Sequence, residues 1–299
     1  MTRTRYTRRE FGGLATAALP GLRYFAVQPF PPLPPLQNQP ARVQVGYCTP
    51  LKNVAAAKTA GFDYVELSTT EIAGLADEDF AAAERMLRDA GMPTPVTNLF
   101  LPATLKVTGA TIDKEAQAAY IGKAFDRLAR IKVGLVVFGS GGARRVPDGF
   151  PADEAFAQLV DFGRRAATLA RQRGITIAVE PLRRQETNVI NSAAEGLKLV
   201  EAVGDSAFQL MVDFYHLASE HESPEIVMQA RDHLRHVHVA NPNGRVFPLA
   251  WDEFDYEPFF AALRRIGYDR RVSVEASTQD LAGDAPRSIA LLRQHTTGD

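Results

Sequence analysis

The chain has 299 residues, with 34 Lys and Arg against 35 Asp and Glu, six His and a single Cys, giving a net charge of −1. That balance gives no electrostatic ground for a nucleic-acid surface, and Cys48 alone supports neither an internal disulfide framework nor a multi-cysteine zinc or iron–sulfur site. No uncharged apolar run approaches the ~18 residues that a membrane span needs, which leaves a soluble enzyme or binding protein.

The near-neutral average hides an asymmetry. Residues 1–23 carry five Arg (Arg3, Arg5, Arg8, Arg9, Arg23) and one Glu, a net of +4, which leaves −5 for the rest of the chain. Thr7-Arg8-Arg9-Glu10-Phe11 leads into the mildly apolar stretch from Gly12 to Leu22. A charged start followed by a short apolar region reads as an export signal. The Thr-Arg-Arg-x-Phe order resembles the twin-arginine signal, whose machinery exports folded proteins. Residues 1–28 are thus expected to be a twin-arginine-type signal and the protein to be periplasmic. Pro29-Phe30-Pro31-Pro32-Leu33-Pro34-Pro35 cannot form a regular helix or central strand, so residues 29–40 read as an extended Pro-rich linker.

From residue 41 the pattern alternates between short β-branched runs and amphipathic helical stretches. Strands are predicted at 43–47, 64–67, 94–98, 134–138, 176–180, 209–213, 236–240 and 272–276. Helices are predicted at 77–90, 113–130, 154–173, 192–203, 257–266 and 284–294. Gly91, Gly174 and Gly267 each follow a helical run, where a left-handed C-terminal cap wants glycine. Eight such units in about 255 residues fit a (β/α)8 barrel, a single α/β domain over residues 41–299. A doubly wound sheet is the alternative, but no G-x-G-x-x-G follows the first strand. Phe138-Gly139-Ser140-Gly141-Gly142 reads as a tight turn after the fourth strand rather than a phosphate loop.

The chemistry lies at the strand ends. In a barrel, a charged residue closing a strand points to the mouth where active sites form. The last four predicted strands close in this way, with Glu180, Asp213, His238 and Glu275. Singly, each reads as a salt-bridge partner or a satisfied core group. Four ligand-type residues on successive strands read as one divalent-cation site of hard to borderline type. His236 and His238 are two apart and share a face; His238, nearer the strand end, is the better ligand. Arg144 and Arg145, after the fourth strand, read as a solvated surface pair.

Glu180-Pro-Leu-Arg-Arg-Gln-Glu186, Asp213-Phe-Tyr-His216, His236-Val-His238 and Gly267-Tyr268 leading to Ser273-Val-Glu275 resemble the xylose isomerase-like TIM-barrel superfamily. Within it they are most similar to the sugar (phosphate) isomerase/epimerase branch. The resemblance runs from about Val43 to the C-terminus. It implies that Glu180, Asp213, His238 and Glu275 hold one divalent cation, Mn2+ foremost, with Co2+, Mg2+ or Zn2+ as alternatives. It implies that Glu180 and Glu275 move protons on opposite faces of a bound sugar, that Glu186 and His216 hold substrate hydroxyls, and that Arg245 contacts the far end of the substrate. It allows a homo-oligomer. Two departures bear on the substrate. Arg183 stands where ketose epimerases commonly have Asn, and the segment from Arg245 to Asp252 lacks their Pro-Gly-x-Gly.

The chemistry so implied is proton abstraction next to a carbonyl, with the cation stabilising an enediolate. Return of the proton to the opposite face epimerises, and return to the neighbouring carbon isomerises. Loss of a β-oxygen eliminates, making the protein a lyase or dehydratase on a 3-keto-sugar or glycoside. A non-catalytic periplasmic sugar-binding protein is the alternative of a different class. An endonuclease with a three-zinc cluster is disfavoured, because every His lies at or beyond His216 and the chain after the signal is acidic. A Ser or Cys hydrolase lacks its G-x-S-x-G.

Overall fold

The computed structural model describes residues 43–297. The expected export segment (1–28) and linker (29–40) lie outside the described residues. Eight strands follow one another, β1 (Gln44–Cys48), β2 (Tyr64–Ser68), β3 (Val96–Asn98), β4 (Leu135–Phe138), β5 (Thr176–Val179), β6 (Phe208–Asp213), β7 (Leu234–Val239) and β8 (Arg271–Val274). All pair in parallel with their chain neighbours, and β8 pairs with β1 to close the barrel. The predicted (β/α)8 fold is therefore the observed one.

Local chemistry sets the element ends. Gly91, Gly174 and Gly267 adopt φ of 58°, 66° and 65°, the left-handed conformation expected after their helices. Asp113 and Ser192 cap the helices Lys114–Arg130 and Ala193–Val203, accepting from the N–H of Ala116 and Glu195. The third strand is shorter than 94–98 because Pro95 has no N–H to give the ladder; its carbonyl instead accepts from Gly134 and Leu135. The ladders of β5 and β8 stop at Val179 and Val274, so Glu180 and Glu275 sit just beyond them. Helices at Val54–Thr59, Thr69–Gly74, Gly141–Arg144, Phe214–Ser219 and Ile226–Gln229 went unpredicted, because four to six residues cannot display a helical period.

The main apolar core lies between the strands and the surrounding helices. Inside the barrel, Tyr64, Val96, Val137, Ala178 and Met211 form a separate apolar layer. Gly46 makes room for the Tyr64 ring, since a Cβ at position 46 would stand 2.1 Å from it. Around the Tyr64 hydroxyl the interior turns polar. It lies 2.8 Å from Ser273 Oγ, which donates to Glu66 at 2.6 Å.

Candidate metal centre

Side chains two apart on a strand face the same side. That parity carries Ala178 to Glu180, Met211 to Asp213, His236 to His238 and Ser273 to Glu275 along the barrel interior. The ladder sets Asp213 opposite His238 and His238 opposite Ser273. The structure brings Glu180, Asp213, His238 and Glu275 together, each with a ligand atom within 4.8 Å of the others. His238 Nδ1 is 3.2 Å from Glu275 Oε2 and 3.5 Å from Glu180 Oε1.

Each carboxylate is placed by its own supports. Arg144, fully buried, donates to the carbonyls of Phe138 (3.0 Å) and Glu180 (2.5 Å), pinning the end of β5 to that of β4. The solvated position expected of Arg144 is thereby corrected, whereas Arg145 is exposed as expected. Arg144 turns inward to serve two strand-end carbonyls, that of Phe138, which also accepts from Glu180 N, and that of Glu180. Gly139 lies against the Glu180 carboxylate, where a Cβ would approach Oε2 to 2.3 Å. Asp213 Oδ1 caps the helix Phe214–Ser219 by accepting from Tyr215 N at 2.9 Å. Glu275 accepts from Asn98 Nδ2 at 3.2 Å and Arg245 Nη2 at 2.6 Å.

The three residues expected to bind substrate surround this quartet. His216 Nε2 lies 3.6 Å from Asp213 Oδ2 and 4.0 Å from both Glu180 Oε1 and Glu186 Oε2. Its Nδ1 accepts from Arg183 N at 3.3 Å, so the proton belongs on Nε2, facing the carboxylates. Arg245 sits on the metal-site carboxylates themselves, with Nη2 also 3.3 Å from Asp213 Oδ2 and Nη1 3.6 Å from Glu186. Its guanidinium lies 4.6 Å from the Tyr215 ring centre, and that of Arg183 lies 5.0 Å from it. Arg183 also binds Glu186 at 2.7 Å.

Crowding three carboxylates in a buried space disfavours charge on them. Burial pushes Glu180 upward and raises Asp213 to about 7. Burial acts on Glu275 in the same sense, but His238 and Arg245 reverse it and leave Glu275 at about 2. Burial, helped by Arg245, lowers His216 to about 3, which keeps it neutral. The residues fit a divalent cation. Three carboxylates and one imidazole are the right donors for a hard to borderline ion. Glu180 Oε1 and His216 Nε2 are buried without a hydrogen-bond partner, a costly state unless something in the site engages them.

Several site residues escaped the sequence reading. Glu66, from the middle of β2, accepts from both histidines of β7. Asn98 closes β3 and holds Glu275. Cys48 Sγ lies 3.9 Å from His238 Nε2. The available signal was strand parity: Cys48 and Asn98 at the ends of β1 and β3, and Glu66 in the middle of β2, all share the interior-facing parity of their strands.

Fold and site together define an α/β barrel with a buried carboxylate–imidazole cluster at its mouth whose donors suit a metal ion. Comparison with known proteins is consistent with that class. Residues 54–295 match the xylose isomerase-like TIM barrel family model, and the chain belongs to that family. It is an enzyme of this family, and relatives that match it over most of both chains are ketose 3-epimerases. L-ribulose 3-epimerase of Methylomonas sp. (strain DH-1) is 28% identical over 77% of this chain and 79% of its own. D-psicose 3-epimerase of Agrobacterium fabrum is 29% identical over 72% and 75%. Among solved structures, a D-psicose 3-epimerase determined in the presence of D-fructose superposes with a TM-score of 0.76. It is 20% identical, covering 86% of this chain and all of that one.

Proposed function

We propose that the protein is a Mn2+-dependent epimerase that inverts the carbon next to the carbonyl of a ketose or keto-sugar. The observation that carries this reading is the convergence of Glu180, Asp213, His238 and Glu275 within 4.8 Å at the barrel mouth, in a chain whose long-matching relatives are 3-epimerases. Glu180, Asp213, His238 and Glu275 would hold the divalent ion, which would supply Lewis-acid stabilisation of the negative charge that develops on the substrate carbonyl. Glu180, whose Oε1 has no other partner, removes the α-proton. Glu275, held by Asn98 and Arg245 until substrate displaces the guanidinium, takes a proton from water and returns it to the opposite face, while the proton on Glu180 passes to solvent. The neutral His216 donates from Nε2 to a substrate oxygen, and Glu186 accepts from a hydroxyl beside it. Arg245 orients Glu275 and keeps it ionised until substrate enters.

Incubation of the Mn2+-loaded enzyme with a panel of ketoses in D2O tests this. We expect deuterium at the carbon next to the carbonyl, the epimer at that carbon as product, and no turnover by Glu180→Gln. Absence of exchange with every ketose and keto-glycoside tried would move the protein to the sugar-binding class.

One observation favours a larger substrate. A cavity of about 490 Å3 runs outward from Glu275 and Arg245 past Asn98, Leu99 and Pro50. That cavity, continuous with Glu275, gives the second group of a keto-glycoside a place against Leu99, a large apolar side chain that is 53% exposed. On such a substrate, loss of a β-oxygen competes with proton return. The reading also includes export through the twin-arginine-type signal at Arg8-Arg9, which places the enzyme among periplasmic sugars.

A further inference from the structure

Below the metal centre lies a second polar cluster that the proposed reaction does not use. Glu66 is fully buried on β2 and accepts three hydrogen bonds. His236 Nε2 stands 2.9 Å from Oε2, His238 Nε2 3.0 Å from Oε1, and Ser273 Oγ 2.6 Å from Oε2. Glu66, His236 and His238 have the donor atoms of a metal site, but their oxygens and nitrogens already face one another at hydrogen-bond distance. A cation there would break three bonds to a buried carboxylate. The cluster is better explained as a clamp on His238, the residue common to both clusters.

An imidazole presents a lone pair to a metal only from the nitrogen that carries no proton, and the partner of the other nitrogen decides which one that is. In His238, Nδ1 faces Glu180 and Glu275 while Nε2 faces Glu66. We propose that Glu66 is a positioning residue for the metal centre: its carboxylate holds the proton of His238 on Nε2, reserves Nδ1 for the divalent cation, and so sets metal affinity from a place no cation or substrate reaches. Ser273 braces Glu66 from β8, and the Tyr64 hydroxyl lies 2.8 Å from Ser273 Oγ. His236 takes the second carboxylate oxygen and prevents Glu66 from turning away. The clamp rests on the metal-centre reading above but not on the identity of the sugar.

The test uses the cation alone. Titration of Mn2+ into the metal-free protein, followed by water-proton relaxation, should give a Kd for Glu66→Met on the order of 10- to 100-fold weaker than for the unaltered protein. Glu66→Gln, which keeps one acceptor oxygen, should recover part of the loss. Folding is checked by circular dichroism and thermal melting. A folded Glu66→Met that binds Mn2+ within about two-fold of the unaltered protein overturns the proposal. Where Glu66→Met does not fold, 15N NMR of the unaltered protein loaded with diamagnetic Zn2+ decides. We expect the His238 proton on Nε2, and a proton on Nδ1 overturns the clamp. Weak metal binding by Glu66→Met in a protein that epimerises no ketose leaves the clamp standing and removes only the reaction. Full epimerisation with an unaltered metal Kd does the reverse.

Discussion

At the scale of single residues, the position of Glu180 depends on an absence. Gly139 has no side chain, and the Glu180 carboxylate occupies the room a Cβ would fill, at 2.3 Å. Such a clash moves the far end of the Glu180 side chain, not its backbone, which Arg144 pins through the Glu180 carbonyl. Gly139→Ala should therefore leave the barrel folded and lower turnover by on the order of 10²-fold, the usual consequence of a misplacement near 1 Å. Steady-state kinetics beside a thermal melt checks this; unchanged kcat would mean that Glu180 needs no such placement. The same neighbourhood shows what sequence can disclose. Glu180, Asp213, His238 and Glu275 were legible because a charge closing an apolar run has only one inexpensive place to go, the barrel mouth. Glu66 was not, because its three donors come from β7 and β8, between 170 and 207 positions away. Arg144 was not, because a loop arginine reads as solvated until the carbonyls it serves are known.

At the scale of elements, the long helices were legible from their apolar period and the short ones were not, and the structure shows how the short ones are held instead. The helix Thr69–Gly74 follows β2 directly, too brief to be stable alone. Its last carbonyls are satisfied from outside by Arg127 of the helix Lys114–Arg130. The buried Arg127 guanidinium donates to Ile72 O at 2.9 Å, Ala73 O at 3.1 Å and Leu75 O at 2.7 Å. Its remaining arm pairs with Asp77 at 2.6 Å, an exposed partner whose charge contributes little by itself. The stabilisation thus resides in the carbonyl bonds, where an unmet buried acceptor costs about 1–3 kcal/mol. Arg127→Met should lower unfolding free energy by about 2–4 kcal/mol, since the three bonds share one group and do not add. Urea denaturation checks it: a lower midpoint with an unchanged m-value is expected. A loss under ~0.5 kcal/mol would show that water replaces the guanidinium.

At the scale of the whole molecule, the charge asymmetry and the metal centre bear on one another. The fold could be read from sequence because eight repeats of one unit reinforce a single interpretation. The substrate could not, because the cavity is lined by side chains from loops after β1, β2, β3, β7 and β8 that no repeat constrains. On the proposed reading, residues 1–23, with +4, would engage an export machinery, and the remainder, with −5, would hold a cation. A route that carries folded chains suits a protein whose native state is stabilised by a bound ion, by ~2.7 kcal/mol at a hundred-fold excess over Kd. On that proposed route, loading before export would fix the metal in the compartment where folding occurs. The proposed route makes a sharp demand on two side chains. Lysine keeps the charge of arginine but not its planar fork, so a machinery that reads the pair by shape should reject the double variant. A fusion of residues 1–40 to a reporter, carrying Arg8→Lys and Arg9→Lys, should stay in the cytoplasmic fraction while the unaltered fusion reaches the periplasm. Equal export of both would remove the twin-arginine route, and with it the argument that the centre is filled before the chain leaves the cell.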